Sequence, residues 1–474
     1  PVFAHTMSLT AHYPTVSADI ATAIAVLQQR LCPRCSSGMA LREQHAHTTT
    51  FLPAELPDAV AFAESAEEVQ EIVRICADHR APIIPFGTGT SLEGHVNAPL
   101  GGISIDLSRM DRVLEVHPED LDCVVQPGVT RSALNIHLRD TGLFFPVDPG
   151  AAASLGGMAA TRASGTNAVR YGTMRDAVLS LKAVLPSGEM LVTGGRARKS
   201  SAGYDLTRLI VGSEGTLGVI TELTLRLHGI PEASSAASCS FPDIGAACTT
   251  AIETVQCGVP VARMELLDPL SVQAVNTHSH LDLPVAPLLL MEFHGSPASV
   301  AEQAKTVGAL ASGNGGAGFD WSADAETRSR LWQARHDAYW ALRGLRPGFD
   351  IFVTDVCVPV SRLAEVVVAA QTEAESQGLI APILGHVGDG NFHASLLIDP
   401  DRPGDRDRAV AYAGWLSALA IDAGGTCTGE HGIGQGKQAY LEPELGAAAV
   451  DTMAAIKQAL DPQNIMNPGT IWPG

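Results

Sequence analysis

What the chain lacks narrows its chemistry first. No stretch approaches the roughly 20 uninterrupted apolar residues that a membrane-spanning helix needs. The longest candidates, such as 286–292, meet a proline or a charge within a strand's length. Basic residues are scarce. With 31 Lys and Arg against 51 Asp and Glu, the net charge is −20, a field that repels a phosphate backbone, so nucleic acid is not expected as a partner. The N-terminus shows neither the basic-then-apolar order of a secretory signal nor the arginine content of a transit peptide, and the residues before Met7 read as an appended remnant. Nine cysteines, an odd number scattered along the chain, argue for reduced thiols and a cytoplasmic location, peripheral to a membrane at most. Cys32-Pro-Arg-Cys35 is a lone C-x-x-C with no second pair to complete a four-ligand set, and no iron–sulfur run is present. Any electrons handled here need another carrier.

What is present is a globular composition, 46% hydrophobic and 17% charged, over 474 residues, enough at roughly 150 residues per domain for two or three domains. Residues 7–53 read as a helical entry, with apolar positions on a helical period from Ile20 to Leu31. Over 54–231, short β-branched strands alternate with helices and glycine-rich turns; strands are expected at 81–86, 102–107, 122–128 and 218–225. Over 232–424 the helices lengthen. One is expected from Ser361 as N-cap to a stop at Gly378, and these helices alternate with strands such as 287–293. Residues 425–474 return to glycine-rich turns and end in a helix, 446–460, stopped by Asp461-Pro462. The class is α+β, with no repeat or low-complexity tract.

The 46 glycines fall largely in clusters. Pro85-Phe-Gly87-Thr88-Gly89-Thr90-Ser91 follows an apolar strand, and its glycines allow successive N–H groups to converge on an anion while the hydroxyls add donors. It is not a dinucleotide fingerprint, because Leu92 stands where the third glycine belongs, and Gly432-Ile-Gly-Gln-Gly436-Lys437 fails as a Walker loop because His431 occupies the first glycine position. Further clusters are Asp148-Pro149-Gly150…Ser154-Leu-Gly156-Gly157, Ser164-Gly165-Thr166 with Tyr171-Gly172, and Gly212-Ser-Glu214-Gly215-Thr-Leu-Gly218. Each alone is a plain turn. Together they favour one long phosphate-bearing ligand.

These runs, read with Gly165-Thr-Asn-Ala-Val-Arg-Tyr-Gly-Thr-Met-Arg175, resemble the FAD domain of the vanillyl-alcohol oxidase/p-cresol methylhydroxylase flavoproteins over nearly the whole chain. The resemblance implies a two-subdomain FAD-binding domain, an α+β substrate (cap) domain and a C-terminal segment that returns to the FAD domain. It implies that Gly87, Thr88, Gly89, Thr90 and Ser91 hold the pyrophosphate, with Pro85 beside them. Pro149, Ser154, Gly156, Gly157, Ser164, Gly165, Glu214, Gly215 and Ile220 would line the rest, and Asn467 would close the site from the C-terminus. Some members attach FAD through a histidine; His95 lies near the first loop, but no covalent link is expected there.

A second constellation stands apart. Gly385-His386-Val-Gly-Asp389-Gly-Asn391-Phe-His393 places two imidazoles around a glycine turn, and Thr428-Gly-Glu430-His431-Gly432 follows. Two histidines and a carboxylate make a three-ligand set with open positions, the pattern of a catalytic metal, and Asp389 and Asn391 could orient the imidazoles. The alternative is a pair of hydrogen-bonded core histidines and a helix-capping glutamate. Within the flavoprotein family these motifs resemble the branch that oxidises D-2-hydroxy acids. That implies His386, His393 and Glu430 as ligands of a divalent zinc or manganese, His431 as the base, and Arg335 of the Trp332-x-x-Arg335 helix as the group that holds the substrate carboxylate. Taken alone, Arg335 would be a surface residue. Tyr339, Thr354 and Asn391 would complete the substrate site, and the aromatic wall at Tyr339 and Trp340 suits a short or apolar tail such as that of D-lactate. D-2-hydroxyglutarate, should Arg343 turn inward, or glycolate are the runners-up. A metal-dependent hydrolase leaves the glycine loops unexplained, and an inert flavin-binding module leaves the metal set unexplained. The expected acceptor is a quinone, a cytochrome or an electron-transfer flavoprotein rather than NAD, and a homodimer is left open.

Overall fold

The computed structural model describes residues 19–46 and 48–472, so the remnant reading before Met7 and the start of the segment from residue 7 lie outside the described residues. Among the described residues three larger sheets carry the chain, beside a two-stranded one that pairs Leu143–Phe144 with His228–Gly229. The first is four-stranded, ordered Cys35–Ser36, Ala59–Phe62, Ile103–Asp106, Ile83–Phe86, with the last three parallel. Pro85 is tolerated in this sheet because its strand lies at the edge, where a missing N–H costs no ladder bond. The second sheet is five-stranded and antiparallel, ordered Val113–His117, Asp122–Val125, Val219–Arg226, Val178–Val184, Met190–Val192. The third has eight strands and is antiparallel, with Val261–Leu267, Ile383–Gly385 and Asn391–Ile398 side by side near its middle. Each sheet buries its own apolar cluster, and Val184 and Val219 of the second sheet pack into the core of the first.

The C-terminal segment returns to the first sheet. Ile83 N–H donates to Ile465 O (2.7 Å) and Asn467 N–H to Ile83 O (2.8 Å), so the tail extends the sheet beyond its edge strand. The buried Lys457 ammonium pins it, donating to Thr216 O (2.9 Å), Met466 O (2.8 Å) and Asp461 Oδ2 (2.5 Å).

Two helical expectations change. Residues Val360–Arg362 form a 3-10 turn, and the α-helix begins at Leu363 with no side-chain cap, so Ser361 is not its N-cap. The helix expected around Arg335 breaks at Asp337 into Ala325–His336 and Ala338–Gly344; Arg335 and Tyr339, one on each piece, line the same cavity.

All nine cysteines are free thiols, and only Cys32 and Cys257 are exposed. Burial pushes the Cys35 thiol up to about 11, and Cys123 and Cys248 to about 12. Thiolate is the reactive form, so a thiol reagent added to the native protein is expected to label Cys32 and Cys257 rapidly and the half-buried Cys357 slowly. Rapid labelling of four or more thiols, read by mass spectrometry, would contradict this packing.

Candidate active site

A cavity of about 580 Å³ lies between the glycine loops of the first two sheets and the middle of the third. Of the residues expected to hold a cofactor, Pro85, Gly87, Thr88, Gly89, Thr90, Ser91, Pro149, Ser154, Gly156, Gly157, Ser164, Glu214, Gly215, Ile220 and Asn467 all line it. Gly165 does not; it packs against the Asp148 backbone, leaving Ser164 and Thr166 in the wall. At Gly87 a Cβ would collide with Ser154 Oγ, and Gly89 takes φ +64° against the Phe86 ring, so both positions need glycine to bring the loop this close. Among the described lining residues Arg335 is the one Lys or Arg, so a phosphate here would rest on N–H groups and hydroxyls. Ser91 Oγ and Asn467 Oδ1 are buried without a protein partner, as groups awaiting a polar ligand are. The loops therefore fit a long phosphate-bearing cofactor.

Glu214, in the cavity wall, has a second task. Its carboxylate accepts from the N–H groups of Ile433 (2.7 Å) and Gly434 (2.8 Å), and so clamps the loop that carries Glu430 and His431. Asn467 Nδ2 donates to Glu214 O (2.7 Å) and His95 O (3.0 Å), which ties the tail to the same place. His95 lies in the cavity wall with Nε2 3.1 Å from Glu214 Oε2.

At the far end of the cavity His386, His393 and Glu430 bring their ligand atoms within 4.8 Å of one another. The hairpin Ile383–Gly385/Asn391–Ile398 does this by pairing Leu384 with His393 while His386 opens the turn. Both imidazoles are held from behind. His386 Nδ1 donates to Glu265 Oε1 (2.7 Å) and His393 Nδ1 to Thr354 O (2.9 Å), so each Nε2 faces Glu430 Oε1, at 3.4 and 3.3 Å. Glu430 Oε2 is buried with no partner. Two Nε2 atoms aimed inward and an orphaned carboxylate oxygen are what a divalent ion requires, the ion taking the place of any proton on Nε2. Burial opposes charge on both sides of this cluster. Even so, Glu265 and Glu430 hold His386 well above the usual histidine range, and His386 and His393 hold Glu430 well below the usual carboxylate range.

Asp355, His393 and His431 form a second close trio, but its acceptors are already used. The fully buried Asp355 takes Asn391 Nδ2 (2.8 Å), Thr428 Oγ1 (2.9 Å), Glu430 N–H (2.9 Å) and His431 N–H (2.8 Å). It is a hub that shapes the ligand loop. His431 stacks on His393 with ring centroids 5.3 Å apart and planes at 7°, with its Nδ1 3.6 Å from Glu93 Oε1. Lys437 Nζ, 3.3 Å from the same oxygen and 3.1 Å from Asp355 O, balances these acids.

Arg335 is buried in the cavity wall and already half engaged, donating from Nε (2.8 Å) and Nη2 (2.7 Å) to Glu265 Oε2. Tyr339, Trp340, Leu342, Val353 and Leu384 supply an apolar wall near it. Asn391 and Thr354, expected to touch substrate, do not line the cavity. Asn391 Nδ2 serves Asp355, and Thr354 accepts from Ala394 N–H (2.9 Å) and His393. Asp389 orients neither imidazole; its Oδ1 is buried without a partner, and burial pushes its carboxyl up to about 7. Glu265, Asp355, Glu93 and Lys437 were missed. The available signal was a lone acid inside the apolar runs Val261–Leu267 and Ile351–Val358, positions where an ionised group needs a partner.

Glycine loops that end on an imidazole–carboxylate cluster define a site for a long phosphate-bearing cofactor beside a candidate cation site. The similarities agree. The model of the FAD binding domain matches residues 57–194 and that of the FAD linked oxidases, C-terminal domain, residues 230–471. The chain belongs to the FAD-linked oxidase family. It is 51% identical over 439 residues to a probable mitochondrial D-lactate dehydrogenase of Danio rerio, covering 92% of this chain and 88% of that one. It is 49% identical over 418 residues to the mitochondrial D-lactate dehydrogenase [cytochrome] of Arabidopsis thaliana, covering 88% and 74%. A crystal structure of p-cresol methylhydroxylase with substrate bound superposes with a TM-score of 0.78 at 19% identity, covering 95% of this chain and 96% of that one, which places the fold in the expected α+β class. The cytoplasmic expectation is overturned: both relatives are named mitochondrial, which points to that location. Reduced thiols separate reducing from oxidising surroundings and say nothing finer.

Proposed function

We propose that this chain oxidises D-lactate, or a similar short D-2-hydroxy monocarboxylate, to the 2-keto acid, with FAD as first electron acceptor and a cytochrome as the next. The observation that carries this reading is one cavity that joins the glycine loops to His386, His393, Glu430, His431 and Arg335. The names of the relatives support the substrate and the cytochrome acceptor. Arg343, which a dicarboxylate would have required to turn inward, is exposed, so the cavity offers one guanidinium and an apolar wall.

When bound, FAD supplies the acceptor for the C2 hydrogen and its electron pair, and a zinc or manganese ion supplies the positive charge that lowers the pKa of the substrate hydroxyl. His386 Nε2, His393 Nε2 and Glu430 would hold that ion. Arg335 presents its remaining nitrogen edge to the substrate carboxylate, a planar cation suited to a planar anion. His431 takes the hydroxyl proton at Nε2, since its Nδ1 faces Glu93. The aromatic and aliphatic wall excludes water from the reacting carbon. In this reading Gly87, Thr88, Gly89, Thr90 and Ser91 cradle the pyrophosphate, Asn467 closes the cofactor site, and Asn391 and Thr354 act by shaping the ligand loops.

The test is anaerobic. The purified protein is expected to be yellow and to bleach with D-lactate faster than with an equal concentration of D-2-hydroxyglutarate. Absence of bleaching removes the activity, and faster bleaching by the dicarboxylate reverses the substrate choice.

A further inference from the structure

We propose that Glu265 is a positioning residue that couples the aim of the metal-binding imidazole to that of the substrate-binding guanidinium; this role rests on the reading above of His386 and Arg335. Glu265 lies on the strand Val261–Leu267, fully buried between Met264 and Leu266. Its two oxygens serve two different jobs. Oε1 accepts from His386 Nδ1 at 2.7 Å, while Oε2 accepts from Arg335 Nε at 2.8 Å and lies 2.7 Å from Nη2. The three groups come from three elements: this strand, the turn after Ile383–Gly385 and the helix Ala325–His336.

An ionised carboxylate only accepts hydrogen bonds, so a proton of His386 is fixed on Nδ1, and Nε2, the nitrogen that faces Glu430, is the one whose proton a metal would displace. The same carboxylate takes two nitrogens of Arg335, which fixes the plane of the guanidinium and leaves its far edge for the cavity. A single rigid anion therefore sets the aim of both, and neither can be re-aimed without disturbing the other.

Glu265→Gln separates these tasks at nearly constant shape. If the amide oxygen faces Arg335, its NH2 faces His386 Nδ1. That nitrogen must then accept, and the proton moves to Nε2, where it blocks a metal. If the oxygen faces His386, the NH2 meets the donors of Arg335. One partner is lost either way.

The experiment compares holoenzymes of wild type, Glu265→Gln and Arg335→Gln, with flavin content, Mn2+ or Zn2+ affinity by equilibrium dialysis and elemental analysis, and KM and kcat for D-lactate at saturating metal. For Glu265→Gln we expect flavin content unchanged, the metal dissociation constant raised about 10-fold to 100-fold, and KM raised about tenfold with a smaller change in kcat. Arg335→Gln, which alters no metal ligand, is expected to weaken metal binding about tenfold through Glu265; this second variant decides the matter if the first does not fold. Metal affinity within twofold of wild type in the folded variants overturns the coupling while leaving the activity in place. A wild type that bleaches with D-lactate but binds no dication overturns both the metal reading and the coupling.

Discussion

His431→Ala is expected to leave a yellow, folded protein whose flavin reduction by D-lactate is slower by about 10²-fold to 10⁴-fold, the usual worth of a positioned base. The fold should survive because the structural contact of this residue is its backbone N–H to Asp355 Oδ2, which alanine keeps. The ring itself is the group that would move the proton. It is half-buried and stacked on His393, and although burial works against its charge, Asp355 and Glu93 raise its pKa above the usual histidine range. Anaerobic stopped-flow at the flavin absorbance gives the answer, and an undiminished rate would remove the base role from His431.

The second large effect belongs to a residue that would touch no substrate. Asp355→Ala takes the acceptor from Asn391, Thr428 and the N–H groups of Glu430 and His431, and leaves the buried Lys437 with Glu93 as its remaining carboxylate. Breaking a buried charge network of this kind costs about 3–5 kcal/mol. The loop carrying Glu430 should loosen, with loss of bound metal and of turnover while flavin remains. A urea midpoint and a metal assay check both; a stability loss under about 1 kcal/mol would refute the hub. The charge also sets an acid limit. Burial raises the carboxyl, but His431 and Lys437 hold it well below its ordinary value. Its contribution is therefore present above the unfolded carboxylate pKa of about 3.9 and fades as pH falls toward the lower folded value, a slope that the variant should lack.

Where residues stand in short motifs, the motifs and the family resemblance together brought out residues that the fold places together. The glycine loops with their hydroxyls line the cavity, and His386, His393 and Glu430 converge. Where the partner is remote, this reading failed. Asp389, close to both histidines in sequence, was expected to orient them; Glu265, 121 positions from His386, holds that ring instead. Asn391 and Thr354 were expected to face the substrate and support the ligand loops from behind. Glu214 lines the cavity as expected, but that its carboxylate also clamps Ile433 and Gly434, 219 and 220 positions away, was not foreseen.

By itself the chain of residues set out the kinds of chemistry available: flexible donor loops for an anion, paired imidazoles with a carboxylate for a cation, and a net charge of −20; the place of Arg335 came from the family resemblance. Those follow from side-chain type and short spacing, which local geometry preserves. The packed molecule alone decided which nitrogen of each imidazole faces the cavity, which acid serves as hub and which as ligand, and that Arg335 faces the cavity while Arg343 faces solvent. Such choices rest on hydrogen bonds of under 3 Å between residues 36 to 121 positions apart, and a separation that short is set by how strands and helices pack, not by the order of residues along the chain.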